Sequence, residues 1–239
     1  MRAARAASNA SGAVQALSDA RARAKQKLKR QQVVRIKIIS MGDAGVGKSC
    51  LIKRYCEEKF VQKYIGTIGV DYGVKSVRLG NWDLRVNLWD LAGGSEYFEV
   101  RNEFYRDAQG CMLVYDCTSR NSFEALDSWI DESARFGAQN AIVVVAANKV
   151  DVGRRVVSEK EGRQWAESNG FLFFEVSANS GAQVRAMFAS IFHRVLHSMQ
   201  GVDEDLTTAA GQLAQTELFR GQEGNPEEGK ARRISGARN

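Results

Sequence analysis

The chain has 239 residues, 44% of them apolar and 26% charged, with a formal net charge of +6. That balance excludes a wholly disordered chain and fits one core-bearing domain with tails. The longest apolar run, Ala141–Ala147, is far too short for a membrane-spanning helix, so a soluble protein is expected.

The positive charge is unevenly placed. Residues 1–32 hold eight Lys and Arg against the single acid Asp19, while residues 201–239 hold five against seven acids. The basic balance therefore belongs to the N-terminal arm, and the folded body carries no nucleic-acid signature. Residues 1–32 read as a basic, disordered or loosely helical arm, because Val14, Leu17 and Leu28 are too sparse to pack a helix face. A nuclear signal within Arg21–Arg30, an anionic surface as partner, and a mitochondrial transit peptide all stay open. The four cysteines, Cys50, Cys56, Cys111 and Cys117, form no C-x-x-C pair and read as small buried apolar residues in a reducing compartment.

From Val33 the sequence alternates strands with helices. Val33–Ile39 is an apolar, β-branched strand, and Ser49–Glu57 reads as a helix. Phe60–Ile68 is polar and irregular. Val70–Leu79 and Leu84–Trp89 are strands joined at Gly80-Asn81, a two-residue hairpin turn. Glu96–Arg106 reads as a helix, Cys111–Tyr115 as a buried strand, and Ser122–Phe136 as a helix with Phe123, Leu126, Trp129 and Ile130 on one face. Ala141–Ala147 is a second buried strand. Ser158 and Glu161 form a capping box that opens a helix ending near Gly170. Phe171–Val176 is a strand, and Ala182–Met199 is a helix with one apolar stripe. Residues 201–239 read as a disordered tail, with at most a short helix at Thr207–Phe219. Fully apolar strands separated by helices predict an α/β fold: a six-stranded, mostly parallel sheet with one antiparallel edge strand and about five helices. Ligands on such sheets bind beyond the carboxyl ends of the strands.

Gly42–Ser49 fits G-x-x-x-x-G-K-[ST], the phosphate-binding loop, with a strand before it and a helix after it. In that pattern Asp43, Ala44, Gly45, Val46, Gly47, Lys48, Ser49 and Cys50 cradle phosphate, Lys48 as a point charge and Ser49 as a Mg²⁺ ligand. Four further pieces follow in order. Thr67 offers a hydroxyl to the metal and an N–H to the γ-phosphate. Asp90 closes a strand and can hold the metal, with the Gly93 N–H meeting the γ-phosphate. Asn148-Lys149-Val150-Asp151 follows a buried strand; a carboxylate at Asp151 accepts from two guanine N–H groups that adenine lacks, and the Lys149 stem covers one face of the base. Ser177-Ala178 can present a backbone N–H to the guanine carbonyl.

On Gly42–Ser49, Thr67-Ile68-Gly69, Asp90–Gly93, Asn148–Asp151 and Glu175–Ala178, residues 33–200 resemble a small Ras-superfamily GTPase, most like Rab. Ser40–Gly42, Tyr55–Glu57, Ile68–Val74, Glu99–Tyr105 and Trp165–Ser168 resemble the Rab-like group that sometimes carries a C-terminal J domain. The resemblance implies a P-loop G domain, GTP/GDP with Mg²⁺, effector proteins at the surface around Tyr64–Thr67 and Gly93–Tyr97, activating or exchange proteins, and a monomer. It also implies that Phe60 packs edge-on to the base and that Tyr64 lies near the phosphates. It carries signal-transduction and intracellular-transport roles, and a cytoplasmic, nuclear or flagellar location, as expectations.

The departures bear on mechanism. Where most of the superfamily has a water-orienting glutamine after Asp-x-x-Gly, this chain has Gly94. Among the groups that act in catalysis (Lys48, Thr67, Gly93 and position 94), the last has no side chain, so slow hydrolysis is expected. Ser95 and Glu96 are the neighbours that could substitute. No cysteine follows Cys117, so no C-terminal lipid anchor is expected, and no His-Pro-Asp triplet of a J domain is present. Asn179 stands where Lys is common, with a slight effect on affinity expected. His193 and His197 have metal-ligand spacing, but their helix already has an apolar stripe, so a metal role is not expected.

Overall fold

The computed structural model describes residues 32–60 and 65–222. The order is β1 (Gln32–Met41), α1 (Lys48–Glu57), β2 (Val70–Leu79), β3 (Trp82–Leu91), α2 (Phe98–Asn102), β4 (Gly110–Asp116), α3 (Arg120–Glu124) and α4 (Leu126–Ser133). It continues with β5 (Ile142–Asn148), α5 (Glu159–Ser168), β6 (Leu172–Glu175), α6 (Val184–Ser198) and α7 (Glu204–Gln222). The six strands form one sheet in the order β2-β3-β1-β4-β5-β6. All neighbours are parallel except the edge pair β2–β3, which runs Val70↔Leu91 to Leu79↔Trp82 around the turn at Gly80. Gly80 takes φ +58, the left-handed conformation a tight turn asks of glycine.

Alternation along the central strands divides the core in two. In β4, Met112 and Val114 face a cluster with Leu51 of α1 and Phe188, Ile191 and Phe192 of α6. Cys111, Leu113 and Tyr115 face the other side, against Leu126 and Trp129 of α4 and Ala166 of α5. A strand covered on both faces has to be apolar at every position, which is why β4 is buried throughout. The carboxyl ends of β1, β3, β4, β5 and β6 therefore open on one edge, and the loops bearing the motifs start there.

The structure corrects the expected elements at several places. The helix expected over Glu96–Arg106 is a 3₁₀ turn at Ser95–Tyr97 running into the short α2, and the chain after it bends through Asp107 at φ +61. The helix expected over Ser122–Phe136 begins earlier, where the Ser119 hydroxyl caps it by accepting from the Ser122 N–H, and then breaks into α3, α4 and a wide π turn at Ala134–Ala138 with Gly137 at φ +99. At α5 the Ser158 hydroxyl accepts from the Glu161 N–H at 3.2 Å as the capping box requires, and the Glu161 carboxylate also pairs with Arg120. Cys111 and Cys117 are buried, whereas Cys50 and Cys56 on α1 are only half-buried.

The largest correction concerns the C-terminal segment. Residues 204–222, expected within a disordered tail with at most a short helix at Thr207–Phe219, form the 19-residue helix α7. Leu206, Ala210 and Ala214 repeat every fourth residue and are all but fully buried. α7 packs chiefly on α6, with a smaller contact to β2. The folded body thus runs past the expected boundary at residue 200. Small alanines bury little area each, but they let two helices approach closely, which a hydrophobicity count does not register. The arm expectation, residues 1–31, and the remaining tail, 223–239, lie outside the described residues. Among the described residues no helix is long and apolar enough to cross a membrane.

Candidate functional site

The loop after β1 is shaped by glycines that nothing else could replace. Gly42 (φ +130) and Gly47 (φ +102) are left-handed, and a Cβ on them would fall 2.1 Å from the Val114 carbonyl oxygen and 2.3 Å from Asn148 Nδ2. The turn brings the loop to the start of α1, whose first turn carries no acidic residue to compete for its amides. Lys48 is 6% exposed. Its Nζ donates to the carbonyls of Gly42 (2.7 Å) and Asp43 (2.9 Å) across the loop. Burial pushes the Lys48 ammonium down to about 8, against the opposing pull of Asp90 and Asp43. An incoming phosphate would meet a desolvated cation that needs an anion.

Beside the loop, Asp90 collects three hydroxyls. Ser40 Oγ donates to its Oδ1 at 2.7 Å; Ser49 Oγ and Thr67 Oγ1 (3.2 Å) donate to its Oδ2, and those two hydroxyls lie 2.9 Å apart. Ser49, Thr67 and Asp90, called on by the sequence as metal ligands, are thus within hydrogen-bond distance of one another. Two alcohols and one carboxylate are hard oxygen donors, which suits Mg²⁺ completed by water and phosphate oxygens. Among the described residues no group of three or more His, Cys, Asp or Glu could hold a metal ion. His193 packs against Gly211 of α7.

At the far end, the loops after β5 and β6 are tied together. Asn148 is buried; its Nδ2 donates to the Val46 carbonyl at 2.8 Å and its Oδ1 accepts from the Ala178 N–H at 3.2 Å. The Ala178 amide, expected to face a base, is held by Asn148 here. Lys149 sits at φ +66, and its Nζ pairs with Asp116 Oδ2 at 2.5 Å. Asp151 accepts from Asn179 Nδ2 at 2.9 Å. Partial burial pushes the Asp151 carboxyl up, but hydrogen bonds from Asn179 and Ser177 more than offset it and hold the group below its ordinary range. Asn179 thus touches the carboxylate directly.

Around Gly93 the backbone comes too close for any side chain. A Cβ there would lie 2.4 Å from Ala44 N and from Asp43 C. The Gly93 segment thus rests directly on the phosphate loop. The next segment is pinned from behind by Arg101, which is 5% exposed and donates from Nη1 to the Gly94 carbonyl at 2.7 Å. Its Nε and Nη2 meet Glu132 at 2.5 and 2.7 Å, Tyr105 donates to the same carboxylate at 2.6 Å, and the guanidinium lies 4.5 Å over the Trp129 ring. Trp129 in turn donates to Asp43 Oδ1 at 2.8 Å. Burial works against the Arg101 charge, and Glu132 more than offsets it, so the guanidinium stays charged.

These pieces wall one cleft of about 490 Å³, within the range of small-molecule sites. Of the predicted residues, Ala44, Gly45, Gly47, Lys48, Ser49, Cys50, Phe60, Thr67, Gly93, Gly94, Asn148, Lys149, Asp151, Ala178 and Asn179 line it. Four do not. Asp43 turns its carboxylate to Trp129, Val46 is buried in the core, Asp90 lies behind Ser49 and Thr67, and Ser177 is fully buried and accepts from the Ser180 N–H. Tyr64 lies outside the described residues.

Sequence reasoning missed Lys53 and Val152 on the wall, named Ile65, Gly66 and Tyr97 only within the effector segments Tyr64–Thr67 and Gly93–Tyr97, and missed two residues behind the wall. One is Asp116, partner of Lys149, which had a signal as the single acid closing a wholly apolar strand. The other is Arg54, whose Nε donates to the Ala178 carbonyl at 2.8 Å, with a second bond to the Asn179 carbonyl. Nothing in the sequence pairs Arg54 with a loop 124 residues away.

Comparison with known proteins agrees with this geometry. Residues 37–197 match the model of the Ras family. The chain is 51% identical over 176 residues to DnaJ homolog subfamily C member 27 of Danio rerio, covering 71% of this chain and 64% of that one. It is 52% identical over 165 residues to the Homo sapiens protein of the same name, covering 66% and 60%. It is 49% identical over 172 residues to DnaJ homolog subfamily C member 27-B of Xenopus laevis, covering 68% and 62%. The chain thus spans a little over three fifths of the length of these curated relatives. Family match, sheet order and the convergence of the motifs on one edge agree: the chain belongs to the Ras family of small GTPases.

Proposed function

We propose that this chain is a GTP-binding switch that requires Mg²⁺ and hydrolyses GTP slowly. The observation that carries this reading is the cleft itself. At one end lie a desolvated Lys48 and the Ser49–Thr67–Asp90 oxygens; at the other lies Asp151, whose carboxylate accepts from Asn179. Phosphate is held by the glycine loop and Lys48. The base is chosen by a carboxylate that pairs with guanine and is left unpaired by adenine. Ser49 and Thr67, with Asp90 behind them, would hold Mg²⁺, which would supply positive charge to the phosphates. Gly94 brings no side chain to the attacking water, which supports slow turnover. Ile65 and Ile68, 73% and 82% exposed beside Thr67, offer an apolar surface for an effector that reads the loaded state.

A second reading, a GTP-locked scaffold that never cycles, is favoured by Gly94 alone. One experiment decides among these. Protein isolated with magnesium throughout is expected to release GTP or GDP on anion-exchange chromatography, and bound GTP to decay slowly to GDP. A Gly94→Gln variant is expected to decay faster. Adenylates, or no nucleotide, would overturn the reading; bound GTP that never decays supports the scaffold. A cytoplasmic or nuclear location is part of the proposal, tested by a fluorescent fusion with and without residues 1–32.

A further inference from the structure

We propose that Glu96 orients the water that attacks GTP, from the space that the missing side chain of residue 94 leaves open. The inference rests on the nucleotide reading above and adds to it a residue for the hydrolytic step. A Cβ built on Gly94 would meet the Glu96 carboxyl group itself, at 2.4 Å from Oε2 and 2.5 Å from both Cδ and Oε1. The carboxylate two residues on thus folds back over Gly94 and fills the position where a side chain there would begin. Glu96 shares the cleft wall with Thr67, Gly93 and Gly94.

The backbone is built to place it there. Gly94 has an extended φ of −71 and starts the 3₁₀ turn Ser95–Tyr97. Its carbonyl accepts from the Tyr97 N–H at 3.2 Å and from Arg101 at 2.7 Å. With that carbonyl held twice, and Arg101 anchored by Glu132, the backbone turn that carries Glu96 on the cleft wall is fixed.

In the reaction the water oxygen bonds to the γ-phosphorus while the bond from that phosphorus to the β–γ bridging oxygen breaks. GDP and inorganic phosphate result. The Glu96 carboxylate accepts a hydrogen bond from the water and fixes its approach; the water's proton passes to the phosphoryl oxygens. A carboxylate next to phosphate repels it, so this arrangement is a weaker device than a neutral amide and is consistent with slow turnover.

The test is single-turnover hydrolysis by GTP-loaded full-length protein, with fluorescent GDP affinity measured on every variant. Loss of guanine binding in the unaltered chain would overturn the nucleotide reading, not this one alone. With binding intact, Glu96→Ala is expected to slow hydrolysis by about tenfold, while Glu96→Gln, which keeps an acceptor oxygen and the length but removes the repelling charge, is expected to match or exceed the rate of the unaltered chain. In the Gly94→Gln background, where the new side chain displaces Glu96, adding Glu96→Ala is expected to change nothing further. Unchanged hydrolysis in Glu96→Ala overturns the proposal. So does an equal loss in both backgrounds, which marks a merely structural effect.

Discussion

Removing Glu132 exposes the weak point of this fold. Glu132 and Arg101 form an ion pair whose side chains are only 13% and 6% exposed. Glu132→Ala takes away both charged hydrogen bonds of Arg101 and the acceptor of the Tyr105 hydroxyl. For hydrogen bonds the guanidinium keeps two carbonyls, Gly94 at 2.7 Å and Ala92 at 3.4 Å, beside the Trp129 ring, and no counter-charge among these partners. A buried charge stripped of its partner costs about 3–5 kcal/mol. For a domain of this size that lowers the melting temperature by about 10 °C, at about 2–4 °C per kcal/mol. Replacing the pair together, Arg101→Leu with Glu132→Leu, is expected to recover most of the loss, because no charge is then left in the interior. Urea titration of nucleotide-loaded protein, with the slope checked for constancy, reads both changes. A single variant within about 1 kcal/mol of the unaltered protein would refute the reasoning. So would a double variant as unstable as the single one.

Gly93→Ala drives a Cβ into the backbone of Asp43 and Ala44 and is expected to abolish retention of nucleotide while circular dichroism stays native, as the sheet lies beneath. Leu206→Ala, at the fully buried anchor of α7, is expected to cost about 2–5 kcal/mol in urea titration; a cost near zero would mean that α7 is not docked in solution. His193 has its pKa lowered, first by burial and then by His197 and Arg194. A depressed histidine is neutral when folded, so its stabilisation holds above the ordinary value of 6.5 and is lost as pH falls below it. Protease sensitivity of α7 is expected to rise on acidification through that range, and His193→Gln is expected to flatten the response.

The order of strands and helices, the parallel sheet with its antiparallel edge and the phosphate loop were all legible in the chain. Each rests on local pattern: period-2 or unbroken apolar runs, glycine spacing, and a capping serine. That the motifs meet was legible too, because the phosphate loop, Asp90, Asn148 and Ser177 each stand at or just after the end of a strand that opens on the same sheet edge. Helix α7 was legible only as a short helix at Thr207–Phe219 within a disordered tail, and its docking was not legible, since its seam of Leu206, Ala210 and Ala214 means little until α6 supplies a surface to approach closely. Nor were the ties that hold the site: Arg54 to the Ala178 loop, Asp116 to Lys149, Asn179 to Asp151, and Arg101 to Gly94. These are single contacts between residues far apart in sequence, and pairing of that kind leaves no periodic trace. The empty position at 94 could be read from the letters, whereas the carboxylate folded over it depends on a turn that only the packed interior fixes.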